Sequence, residues 1–197
     1  KSDANHFMKK YSSIFLALVV LDCQQDSGSI TTLYSLPKKL KEVSGIIYSE
    51  KTNVLWTLED SGNANAIYGL NAENGSLEKT ITIENTQNID WEDITKDSEG
   101  NLYIGDFGNN DNDRQDLCIY KIDKNTLDKE NTTPAYKISF AYPEQKEFPP
   151  KKKALFYDVE GFFEFQNNFY LFIKNRSKGF DGTAFLYKVP NAAGSQQ

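Results

Sequence analysis

From about residue 40 onward, short apolar runs rich in aromatic and β-branched residues, such as Val54–Leu58, Leu102–Ile104 and Phe169–Ile173, are separated by polar clusters of Gly, Asn, Asp and Ser. Runs of that length and composition bounded by turn residues are the signature of β-strands. The pattern predicts a first set of strands over Gly45–Tyr48, Val54–Leu58, Ala66–Asn71 and Glu78–Ile83. A second set falls on Asp93–Lys96, Leu102–Asp106, Leu117–Ile122 and Ala135–Phe140, and a third on Gly161–Phe165, Asn168–Lys174 and Ala184–Val189. The turns are chemically marked: Asn74-Gly75, Ser98-Glu99-Gly100-Asn101 and Gln166-Asn167 are residues that tolerate tight or positive-φ backbone. A separate strand is predicted over Ile30–Leu36, and Asn191–Gln197 reads as a small polar tail with no fourth strand for the third set.

One short phrase precedes each set: Glu42-Val43-Ser44-Gly45-Ile46, Asp90-Trp91-Glu92-Asp93-Ile94 and Asp158-Val159-Glu160-Gly161-Phe162. A strand-and-turn repeat of this length points to the blades of a β-propeller, each a four-stranded antiparallel sheet with its first strand nearest a central axis. The expected fold is therefore all-β, with about three blades at residues 41–83, 88–140 and 155–190. Closed propellers have roughly four to eight blades, so three copies suggest part of a six-blade ring. A three-blade chain that dimerises is the alternative.

The N-terminal segment follows a different rule. Lys9 and Lys10 precede the apolar run Ile14–Leu21, which ends at Asp22-Cys23. A basic start and an apolar run too short to span a bilayer make an export signal, so residues 1–28 are expected to be a leader and tether. Cys23 stands where a bacterial lipoprotein carries its lipidated thiol, although Asp22 departs from that pattern. The expectation is an exported, cell-surface or periplasmic lipoprotein touching the membrane only through its anchor, with soluble secretion as the alternative. Met8 is the sole methionine and His6 the sole histidine.

Composition narrows the chemistry. Lys and Arg total 22 against 28 Asp and Glu, a formal charge of −6, with no basic stripe to neutralise phosphates, so nucleic acid is not an expected partner. Without a His or Cys cluster, zinc is not expected, and a chain whose one histidine sits in the leader cannot use histidine general acid–base catalysis. Cys118 lies inside a strand pattern and reads as a small buried hydrophobe.

What remains is carboxylate chemistry. If first strands converge, Asp90, Glu92, Asp158 and Glu160 face one channel, where they repel one another unless a hard cation such as Ca²⁺ offsets them. The competing account is that the Asp and Gly of each phrase only shape the strand entry. Loops after the second strands add Glu59 and Asp60, then Asp106 and Asn109 in an Asn/Asp-rich run ending at Arg114, then Lys174 and Arg176. Asp106 and Asn109 are candidate cation ligands. Glu59, Asp60, Arg114, Lys174 and Arg176 are candidate ligand-binding residues.

Leu55–Asn63, Asp90–Ile94, Asn101–Asn110, the Asp158–Phe162 phrase and Lys174-Asn175-Arg176 resemble those of secreted bacterial β-propellers, similar in style to gluconolactonase-like, NHL-repeat and SdiA-regulated proteins. The resemblance spans Leu40 to about Pro190. It implies the propeller fold, and by analogy with gluconolactonase-like and phytase-like propellers it implies an axial divalent metal held by acidic and amide side chains. Leu58-Glu59 replaces the His-Asn expected of similar sequences, which removes a ligand role at position 58. Two functions follow as expectations: a binding or scaffold module, or a metal-dependent hydrolase of lactones or phosphoesters.

Overall fold

The computed structural model describes residues 30–196, so the leader and the Cys23 lipidation site lie outside the described residues. The described chain is all-β. Its strands are β1 (Val43–Ser49), β2 (Val54–Glu59), β3 (Ala66–Asn71), β4 (Leu77–Ile83), β5 (Trp91–Lys96), β6 (Leu102–Asp106), β7 (Cys118–Ile122), β8 (Asn131–Thr132), β9 (Tyr136–Phe140), β10 (Asp158–Phe165), β11 (Asn168–Lys174), β12 (Phe185–Pro190) and β13 (Gly194–Gln196). One 3-10 turn, Lys124–Thr126, interrupts the series. No described helix is long and apolar enough to cross a membrane.

Three sheets result, ordered β1-β2-β3-β4-β8, β13-β9-β7-β6-β5 and β10-β11-β12, and none closes on itself. Within each sheet the consecutive strands run antiparallel. The first two sheets have a four-stranded antiparallel core, and the third has three strands among the described residues. Two short parallel strands were not expected from the sequence. β8 lies between β7 and β9 in the chain but pairs with β4 of the first sheet, and β13 follows β12 but pairs with β9 of the second. The outermost long strand of each of the first two sheets is thus clasped by the chain of the next sheet. The predicted polar tail is in part this second clasp, and its small residues suit a strand held by backbone bonds alone.

The predicted strand over Ile30–Leu36 does not form. Ile30 and Leu33 are largely exposed. From this stretch Tyr34 donates its hydroxyl to the Ala72 carbonyl at 3.2 Å.

Alternation places the core between sheets. Val54, Trp56, Leu58, Ile67, Ile81 and Ile83 of the first sheet meet Ile94, Leu102, Ile104, Tyr120 and Ile122 of the second, around a fully buried Trp91. Cys118 is buried in the same cluster. The other face of the second sheet, with Tyr103, Ile119, Ile138 and Phe140, meets Val159, Phe162, Phe169, Leu171 and Ile173 of the third. Burial of these side chains, each contributing about 1.5–3 kcal/mol, holds the sheets face to face.

At the other edge of the sheets, β5 lies between β1 and β10. Here the repeated phrase has a definite structural meaning. Each of these strands carries a register shift at the phrase: between Val43 and Ile46, between Trp91 and Asp93, and between Val159 and Gly161. The extra residue is Glu92 in β5 and Glu160 in β10, with Ser44 in the matching place of β1. A bulge turns one residue out of the ladder and sharpens the local twist. The fourth residue of the phrase packs against the next strand. A Cβ on Gly45 would lie 2.6 Å from the Ile94 nitrogen and 2.7 Å from the Asp93 Cα, so β1 can approach β5 this closely only with glycine there. Asp93, in the same position of β5, bridges onward, its carboxylate accepting the Ile94 N–H at 2.8 Å and the Phe162 N–H at 3.0 Å. Burial pushes the Asp93 carboxyl above its ordinary pKa, and those two N–H donors pull against it.

Candidate functional site

The bulge delivers carboxylates to one place. Asp90 stands at the entry to β5, Glu92 is its unpaired bulge residue, and Asp60 sits in the loop just past β2. Carboxylate oxygens of these three residues all lie within 4.8 Å of one another, and each side chain is half-buried. Asn88 fixes the geometry from below: its amide donates to the carbonyls of Glu59 and Asp60, both at 2.9 Å, and its oxygen accepts the Trp91 N–H at 3.1 Å. Two further backbone bonds close the phrases, from Asp60 N–H to the Glu42 carbonyl at 2.9 Å and from Gly108 N–H to the Asp90 carbonyl at 3.1 Å. A Cβ at Gly108 would overlap the Asp90 carboxyl and Glu92 Oε1, so only glycine leaves the acids their room.

The electrostatics follow from proximity. Burial, then the charges of Asp90, Asp60, Glu160 and Asp158, push Glu92 up to about 8 from an ordinary 4.5. Burial and then Asp60 push Asp90 up to about 6, with Arg114 pulling the other way. Among the described residues, no ion pair reaches Asp60, Asp90 or Glu92. Three clustered oxygen donors without a cationic partner could hold a metal ion, and hard cations favour such ligands.

The other candidate residues are brought near but are otherwise engaged. Asp158 is fully buried, accepts the Asn109 N–H at 2.8 Å and forms an ion pair with the Arg176 Nε. Glu160 accepts from Lys174 Nζ at 3.0 Å and from Arg176 Nη2 at 2.8 Å. Burial alone would raise the Glu160 pKa, but the Lys174 hydrogen bond and the two cations hold it below its ordinary value. The phrase of β10 therefore carries its own neutralising pair, and that of β5 does not.

Asp106 is buried, with Oδ1 accepting the Asp90 N–H at 3.1 Å and Arg114 NH2 at 2.9 Å, while its Oδ2 has no partner. Burial raises its pKa against the pull of Arg114. Arg114 also reaches Asp116 and the Gly108 carbonyl. The Asn109 side chain is spent on backbone, donating to the Tyr157 carbonyl at 3.0 Å and accepting the Arg114 N–H at 3.0 Å. Asn112 adds a bond from Tyr157 N–H, so the Asn/Asp-rich loop clasps the second sheet to the third. Glu59 is buried with both oxygens occupied, by Lys41 N–H at 2.7 Å and the Tyr68 hydroxyl at 2.9 Å.

Of the sequence candidates, then, Asp90, Glu92 and Asp60 come together as an unneutralised group, and Asp60 had been assigned to ligand binding rather than to the cation. Asp158 and Glu160 flank that group with Lys174 and Arg176. Sequence reasoning missed Asn88 and Gly108. Neither has a diagnostic residue type; the only signals are their places, Asn88 two residues ahead of the phrase and Gly108 two beyond the strand that β5 pairs with. No protein-family model matches the chain, and no curated protein matches it.

Proposed function

We propose that the three sheets are propeller blades and that the chain is an exported, lipid-anchored binding module whose ligand is held through a divalent cation at Asp60, Asp90 and Glu92. The observation that carries this reading is the cluster itself: three carboxylate oxygens within 4.8 Å, with Glu92 pushed up to about 8 first by burial and then by the charges of its neighbouring acids. Keeping like charges this close is costly unless something neutralises them. Ca²⁺ fits best among common cations, because it accepts irregular sets of six to eight oxygens and leaves positions for water or ligand. The blade reading is supported by the order of strands, by β1, β5 and β10 lying side by side, and by the bulge repeated at each phrase. Export and anchoring are supported by the Ile14–Leu21 run before Cys23.

A second reading, hydrolysis of a lactone or phosphoester, is favoured by one observation. Glu92 holds a proton near neutral pH, as a general acid must. In this reading a cation held by Asp60 and Asp90 would supply Lewis acidity, Glu92 would stay outside the cation's ligands to hold and release the proton, and Arg176 and Lys174 would orient an anionic group.

Terbium luminescence titration of the intact protein at pH 8 tests the site. Glu92→Gln is expected to weaken binding by at least about 30-fold, the loss of one charged oxygen ligand costing about 2 kcal/mol. Glu160→Gln is expected to change it less than about threefold, since that carboxylate is already neutralised by Lys174 and Arg176. Equal affinities for native protein and Glu92→Gln would refute the site. Cation-dependent turnover of a lactone or phosphoester, lost in Glu92→Gln, would decide for the hydrolase, and thermal stabilisation by ligand without turnover for the binding module.

A further inference from the structure

The β10–β11 hairpin continues past its sheet. Asp158 pairs with Lys174 in the ladder. Beyond that pair, Arg176 donates its N–H to the Leu155 carbonyl at 2.9 Å and Lys178 donates its N–H to the Lys152 carbonyl at 2.7 Å. Two segments far apart in sequence, 151–156 and 174–183, are thereby held side by side. Phe156 fastens them to the third sheet through an edge-to-face contact with Phe185 at 5.3 Å.

These segments carry Lys151, Lys152, Lys153, Lys174, Arg176 and Lys178 against one acid, Asp181, a net +5 in a chain of −6, so the rest of the chain carries −11. Lys174 and Arg176 are spent on Asp158 and Glu160. The other four lysines are exposed and, among the described residues, make no ion pair. The one acid is turned to its own loop, accepting the Thr183 N–H at 2.9 Å. At the tip, between Gly179 and Gly182, the Phe180 ring is 65% exposed.

We propose that this two-armed projection docks on an anionic phospholipid surface, with Lys151, Lys152, Lys153 and Lys178 over the headgroups and Phe180 inserted among them. Charge complementarity is the first warrant. Lysines gathered this closely repel one another unless something anionic covers them, and each one near an anionic bilayer strengthens binding about fivefold. Phe180 decides for lipid over a soluble polyanion. A sulfate or phosphate polymer would use the lysines but not the ring, whereas a bilayer interface takes up an apolar side chain and its flanking charges together.

The test is co-sedimentation of the full chain with vesicles of phosphatidylcholine, alone or with about 30% phosphatidylglycerol to supply the negative surface. Native protein should bind the charged vesicles and be released as salt rises to about 0.5 M. On those vesicles Lys152→Gln with Lys178→Gln should weaken binding about 25-fold, and Phe180→Ser about tenfold. Both variants should keep the native circular dichroism spectrum and terbium affinity, and neither should differ from native protein on neutral vesicles. Whatever the Ile14–Leu21 run adds is common to all three proteins. Equal binding of the three to charged vesicles overturns the proposal. So does a loss confined to the lysine variant and matched on dextran sulfate, because the partner would then be a soluble polyanion. A native protein that partitions as expected but binds no terbium would overturn the cation site and leave this surface standing.

Discussion

Raising the pH from 6 to 8 is expected to tighten Ca²⁺ binding about 100-fold, measured by isothermal titration at constant ionic strength. Burial and the charges of Asp90, Asp60, Glu160 and Asp158 raise Glu92 from 4.5 to about 8, and burial and Asp60 raise Asp90 from 3.8 to about 6 against the pull of Arg114. A cation must displace those protons, and each displaced proton is worth tenfold per pH unit until the group's own pKa is reached. At pH 6 Glu92 is almost wholly protonated, and at pH 8 it is half ionised. In Glu92→Gln the slope should flatten to a few-fold over the same range, leaving only Asp90 to titrate. A native protein whose affinity does not vary with pH would contradict the assignment. Without a cation the same shifts act on stability. A raised carboxyl pKa means the folded state holds its proton more tightly, so the contribution is fully present below the ordinary value and lost as pH rises through the folded value. The cation-free protein should therefore lose stability between about pH 4.5 and 8, and saturating Ca²⁺ should offset that loss.

Phe169→Ala is expected to destabilise the protein by about 3–5 kcal/mol in urea unfolding, the usual cost of deleting a fully enclosed aromatic ring. Phe169 is completely buried, sits 4.9 Å from Tyr103 in an edge-to-face arrangement and 5.6 Å from Phe162, and so joins the second sheet to the third. Domains of this kind are stable by only about 5–15 kcal/mol in total, so the variant should be marginal at room temperature. Phe180→Ala, at a residue 65% exposed, should stay within about 0.5 kcal/mol of the native protein. Comparable losses at the two positions would mean that the core does not lie between these sheets.

The contrast between these phenylalanines also shows how much was legible in the sequence. A strand over Asn168–Lys174 puts Phe169, Leu171 and Ile173 on one face and Tyr170 and Phe172 on the other, though five consecutive apolar residues do not mark which face is the core. β3, β6 and β11 begin and end where the pattern places them. The strand predicted at Ile30–Leu36 does not form: Ile30 and Leu33 stay exposed, and Tyr34 is tied to the Ala72 carbonyl through its hydroxyl. β8 and β13 escaped notice because they are two or three polar residues that become strands only through backbone bonds to a different sheet.

The repeated phrase was visible, but its meaning depended on register. Only the pairing of β5 with β6 shows that Glu92 is an extra residue turned out of the ladder. The site was half legible for the same reason. Asp90 and Glu92 stood out as acids at a strand entry, whereas their companion Asp60 comes from a different sheet, brought alongside by the contact of β1 with β5. Asp158 and Glu160 repeat the same spacing, yet Lys174 and Arg176 neutralise them, a difference written in the strand paired opposite rather than in the phrase itself.

The most direct test of the cation site is anomalous diffraction from a crystal soaked in Mn²⁺ or Tb³⁺ at pH 8. One strong peak is expected, coordinated by carboxylate oxygens of Asp60, Asp90 and Glu92 at about 2.1–2.6 Å from each. A peak confined to the Asp106–Asp113 loop, or none at the three acids, would contradict it.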